Sequence, residues 1–155
     1  YNKALAFRNI NYSDLNTLLQ KGQFQQAEPF LKEYLKDTKN NPAANLFMGR
    51  IFEEKLTAST NQVIISQSVD SALFYYNLTS ITITQKEINK NEKFYNQYAR
   101  KDLRTGKMGV KLSDILRDLE ARRENLMTLR KALGLPIFQQ LTNQKQVSSA
   151  IIVEP

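Results

Sequence analysis

The sequence predicts an all-α fold: antiparallel helix pairs stacked as a short solenoid or bundle and closed by a long C-terminal helix. Three observations carry this expectation. Apolar residues recur three and four positions apart over at least five segments, whereas only one short segment, Ile81-Thr82-Ile83-Thr84, alternates as a strand does. Leucines stand seven apart near the C-terminal end, at 112, 119, 126 and 133. The chain of 155 residues is long enough to bury one core, and it has no cysteine with which to staple a smaller one.

Taken in order, Leu15, Leu18 and Leu19 make the first helical stripe, with Ser13 and Asp14 suited to its start. Gly22 relieves a turn, and Ala27, Phe30, Leu31 and Tyr34 continue on a second helix, where Pro29 is tolerable near a first turn. Lys39-Asn40-Asn41-Pro42 reads as a loop, with Asn41 as N-cap and Pro42 at the first helical position. Leu46, Phe47, Ile51 and Phe52 then mark a helix that ends near Leu56. Residues 57–67 turn to Ser, Thr, Asn and Gln around Val63-Ile64-Ile65, which predicts an ordered loop pinned by an apolar plug. Helical spacing resumes at Val69, Ala72, Leu73 and Tyr76, and residues 81–84 read as a helix end or kink because an isolated strand has no partner. Thr84 and Glu87 fit a capping box opening a helix through Ile88, Phe94, Tyr95, Tyr98 and Leu103, after which Gly106 and Gly109 bracket a turn.

The last helix is predicted over residues 113–133, closing at Gly134 with Pro136 beyond. Ile115 and Leu129 fill the seam between the spaced leucines, and Arg122 takes the remaining seam position. Two accounts of this stripe stand side by side: packing within the domain, which is the favoured one, and pairing in a dimer, so the oligomeric state stays open. Residues 1–138 are read as one helical domain and 139–155 as a polar tail or linker. A chain opening on Tyr1 is expected to be a processed or truncated piece of a larger protein.

The net charge of +7 is uneven. Residues 86–145 hold 14 Lys and Arg against 7 Asp and Glu, so the excess lies in the C-terminal half. Its densest part is Arg100, Lys101, Arg104, Lys107 and Lys111, a candidate anion-binding cluster. With Tyr95 and Tyr98 nearby it imitates a nucleic-acid surface, but the tyrosines share the spacing of the buried stripe. A solvated helix end is therefore preferred, and weak nucleic-acid or polyanion binding is kept as the alternative function. No run of about 18 apolar residues is present to span a bilayer.

The chain also has no histidine, which together with the missing cysteine removes the usual general base, the usual nucleophiles and nearly every transition-metal site. Gly106-Lys107 resembles the end of a phosphate loop only superficially, since Lys101 stands where its first glycine belongs. Carboxylates such as Glu53, Glu54, Asp118 and Glu120 are expected on solvated helix faces. The expectation is a non-enzyme with no cofactor and no metal.

A period of thirty-four residues joins Leu15 and Leu18 to Gly49 and Phe52, with Gly22-Gln23-Phe24 at the first turn and Ala27, Leu31 and Tyr34 beyond it. Ala72 and Tyr76 stand at the corresponding small and aromatic positions of the second unit. Leu18 and Ala27 are 9 apart and Phe52 and Ala72 are 20 apart, an insertion of 11. Over roughly residues 9–80 this pattern resembles the tetratricopeptide repeat, with Leu15 and Lys39 departing from the family's small residue and closing proline. The resemblance implies a protein-interaction scaffold whose first helices line a concave face. On this chain that face takes Tyr12, Asn16, Gln20, Leu46, Arg50 and Glu53, which would receive a protein or peptide partner.

Overall fold

The computed structural model describes residues 14, 15, 17, 18 and 21–134. Asp14, Leu15, Thr17 and Leu18 are helical, and Gly22, at φ +74°, turns the chain into α1 (Phe24–Asp37). Pro29 sits in the second turn of α1, not the first, so the helix forgoes the hydrogen bond to the Gln25 carbonyl. α2 (Pro42–Ala58) starts as its sequence implies: the Asn41 side chain accepts from the Ala44 amide at 3.0 Å, and Pro42 needs no amide partner.

The loop expected at 57–67 is largely helix. Three residues join α2 to α3 (Gln62–Thr82), and Asn61 caps α3 by accepting from the amides of Val63 (2.9 Å) and Ile64 (3.3 Å). The two helices of this pair run 17 and 21 residues and absorb most of the polar stretch between them. Of the expected apolar plug, Val63 and Ile64 are exposed on the first turn of α3, and Ile65 alone packs against the core. At the far end Thr79 and Thr82 return their hydroxyls to the carbonyls of Tyr75 and Leu78, and Ile83 leaves in an extended conformation, so residues 81–84 do end a helix.

Thr84 caps α4 (Gln85–Lys90) through the Glu87 amide at 3.1 Å. The predicted continuation to Leu103 does not form. A 3-10 helix (Glu92–Tyr98) follows, with Tyr95 outside helical dihedrals at φ −116°, ψ 16°. Then comes a hairpin of β1 (Arg100–Lys101) and β2 (Met108–Gly109), paired antiparallel with Arg100 opposite Gly109 and Lys101 opposite Met108. Gly106 at φ +73° supplies the left-handed residue of its turn, and Asp102 Oδ1 accepts from the amides of Arg104 (2.8 Å) and Thr105 (3.2 Å). Gln85 fastens the hairpin exit to α4: its Nε2 donates to the Val110 carbonyl and its Oε1 accepts from the Leu112 amide. α5 (Leu112–Ala132) ends at Gly134, φ +70°.

α2 and α3 form the widest interface, α1 packs on α2, and α5 packs on α3. One buried cluster runs from Leu15 and Leu31 through Phe47, Ile51, Leu73 and Tyr76 to Ile115, Leu119 and Leu126. Gly49 brings α2 against α3, for a Cβ there would run into the Tyr76 ring. Phe52 and Tyr75 stack beside it with centroids 5.8 Å apart. The leucine seam of α5 therefore packs inside the domain, with Ile115, Leu119 and Leu126 buried and Leu112 and Leu129 against the core. Glu28, buried on α1, pairs with Lys32 (2.8 Å) and with Lys55 of α2 (2.6 Å). Burial alone would raise its pKa, but the two lysines outweigh that and hold the carboxyl below the usual glutamate range. Among the described residues no helix is long and apolar enough to cross a membrane. The proposed tail at 139–155 lies outside the described residues.

Candidate functional site: an arginine-lined groove and a basic hairpin

Helical spacing places Arg50 and Glu53 one turn apart on the face of α2 that looks toward α5. The Arg50 guanidinium donates to Oε1 of Gln97 on the 3-10 helix. Glu53 accepts from the Tyr76 hydroxyl of α3 and from Arg122 of α5 at 2.6 Å. Arg122 also reaches Asp118 at 2.8 Å, and Asp118 accepts from the Tyr98 hydroxyl at 2.6 Å. Four elements thus meet in one polar chain, Tyr76–Glu53–Arg122–Asp118–Tyr98.

Burial and neighbouring charges shift the two phenols and the guanidinium of this chain toward their protonated forms. Burial lifts the Tyr76 phenol above the usual tyrosine range, and the Glu53 carboxylate lifts it further. Tyr98 is raised in the same way by burial and then by Asp118. Burial works against the charge of Arg122, but Asp118, Tyr76 and Glu53 more than compensate and hold the guanidinium protonated.

Alongside runs a groove of about 510 Å³, lined chiefly by Arg50, Gln97, Tyr98, Arg117, Asp118 and Arg122. Two of its carboxylates have taken partners on α5, since Asp114 holds Arg117 at 3.2 Å and Asp118 holds Arg122. Arg100, at 3.8 Å from Asp114, connects this groove to a wider concavity of about 720 Å³ around the hairpin.

Of the residues expected on a partner face, Arg50 lines the groove, whereas Glu53, one turn along α2, stands outside its lining and is joined to it through Arg122. Leu46 is fully buried, because its position on α2 points into the core, and it offers a partner no surface. Tyr12, Asn16 and Gln20 lie outside the described residues. The five cations of the expected anion-binding cluster are all exposed: Arg100, Lys101, Arg104 and Lys107 lie on the hairpin, and Lys111 is at the N-cap of α5.

Sequence reasoning missed Gln97 and treated Asp118 as solvated surface. The signal was Arg122: a charged residue in an otherwise apolar seam needs acidic partners where the seam is covered. No family model, no curated protein and no solved structure matches the chain.

Proposed function

We propose that this chain is a non-catalytic protein-interaction module, with helix pairs stacked in the manner of tetratricopeptide repeats, and that the groove beside α2 receives a segment of its partner. The close approach at Gly49, and the burial of Ala27, Leu31 and Ala72 at the small and large positions of the pattern, support the stacking. One observation carries the function. Among the described residues Arg50 stands at the groove with one hydrogen bond, to a neutral amide oxygen, while the neighbouring acids Glu53 and Asp118 are already engaged by Arg122 and tyrosine hydroxyls. Its charge and its remaining N–H groups suit a carboxylate on a partner, which a guanidinium grips with two parallel hydrogen bonds. The same engagement of the acids favours binding over acid–base chemistry, since neither carboxylate is left to exchange a proton with a substrate.

A displayed peptide library panned on the protein tests this. Peptides selected on the wild type should bind Arg50→Ala at least about tenfold more weakly, the loss expected for a charge-assisted hydrogen bond. Helical circular dichroism and the unfolding midpoint should stay unchanged. Equal binding to the variant would overturn the choice of face.

A further inference from the structure

The hairpin carries a feature that the groove does not explain. Among the described residues Lys101, Arg104, Lys107 and Lys111 make no ion pair, whereas Arg100 and Arg117 share Asp114. Asp102, the one acid within the turn, directs its carboxylate inward to the Arg104 and Thr105 amides, which hold its pKa low and shape the loop. Two apolar side chains stand among these cations. Leu103, at the tip, is 96% exposed, and Met108, directly across the ladder from Lys101, is 63% exposed. The tip is held, not slack: Asp102 N donates to the Lys107 carbonyl at 2.8 Å and Gly106 N to the Asp102 carbonyl at 2.7 Å.

We propose that this hairpin docks the protein on the surface of an anionic lipid bilayer. Leu103 and Met108 enter the interfacial layer while Lys101, Arg104, Lys107 and Lys111 meet the headgroup phosphates and carboxylates. Cations near a negatively charged leaflet are attracted individually, and an apolar tip adds burial that a purely ionic contact lacks. Single-stranded nucleic acid fits the surface less well, because it asks for exposed aromatic faces on which bases stack. The tyrosines nearest the hairpin are withdrawn: Tyr95 is buried on Glu87, and Tyr98 is half-buried on Asp118. An acidic protein would satisfy the lysines but gives Leu103 no defined place.

Vesicle flotation of the whole chain, with phosphatidylcholine vesicles that contain or lack phosphatidylserine, decides the matter. Binding is expected only with phosphatidylserine, and it should weaken as salt is added. Arg104→Ala and Lys107→Ala should each reduce vesicle affinity about fivefold. Leu103→Ser, which leaves the charge unchanged, should reduce it by on the order of tenfold. Because the Leu103 side chain is almost wholly in solvent, an unchanged helical spectrum should accompany the loss. Failure to bind phosphatidylserine vesicles at low salt overturns the proposal. So does a Leu103→Ser variant that binds them as tightly as the wild type, or an oligonucleotide or polyglutamate that binds more tightly than the vesicles and is indifferent to Leu103. The groove reading is untouched by any of these results, since Arg50 takes no part in them.

Discussion

At Gly49 a single missing methyl group decides how near two helices come. Alanine there would favour the helix by about 1 kcal/mol through propensity alone. The new Cβ would also press on a ring that is fully buried and tied by its hydroxyl to Glu53, so the ring has little room to yield. Overpacking of this kind costs about 1–3 kcal/mol, and Gly49→Ala should therefore lower stability in a denaturant titration. A variant as stable as the wild type would show that the helices adjust freely. The tyrosine hydroxyls make a second prediction. Tyr76, Tyr95 and Tyr98 all have phenols raised by burial and then by a neighbouring carboxylate. Because the folded state holds their protons more tightly than the unfolded one, their contribution is complete below about pH 10 and is lost as pH rises beyond it. Phenolate absorbance should accordingly show these three ionising together with unfolding, and ionisation of all the tyrosines while the helical signal persists would refute it. Gly49, Ala72 and Tyr76 were legible in the sequence because small and large residues at a fixed period betray a close contact. Glu53 and Asp118 were not, since an acid bound to a distant arginine has the same local sequence as an acid in water.

Among the elements, caps were the most readable features. Asn41, Thr84 and Gly134 each stand where a helix begins or ends, because their chemistry is local and needs no distant partner. The first turns of α3 were misread for the opposite reason: Ser and Gln around three β-branched residues look like a loop until the Asn61 cap and the face of α2 commit them to a helix. Asn61→Ala should cost about 1 kcal/mol and fray α3 from residue 62, which loss of protection at the Val63 and Ile64 amides would report. Full retention of their protection would mean that packing alone holds the turn. The 3-10 helix escaped the sequence because Tyr95 and Tyr98, three apart, suit it as well as an α-helix, and of the hairpin the sequence showed the turn at Gly106 but not the two short strands beside it. Only the break at Tyr95 separates the two helical outcomes, and it is not visible in the periodicity.

For the molecule as a whole, a mainly helical architecture was legible because its apolar stripes are long, whereas the groove depends on pairings that span the chain. Arg122 meets Glu53 across 69 positions, and Arg130 of α5 pairs with Asp70 of α3. The α2–α3 pair, by contrast, is joined by three residues, and nearly all its contacts can form locally. Such a difference separates the helices in time. Closing a short connection is entropically easier than docking a helix that arrives after a 3-10 turn and a hairpin, so α2 and α3 are expected to assemble first and α5 to settle on them later. Native-state hydrogen exchange should then find α5 opening at lower free energy than α2 and α3, and equal protection in all three would contradict this order. Because one wall of the groove is α5 itself, the groove exists only while that helix is docked. A ligand held there would slow its release, making α5 exchange a clock for occupancy.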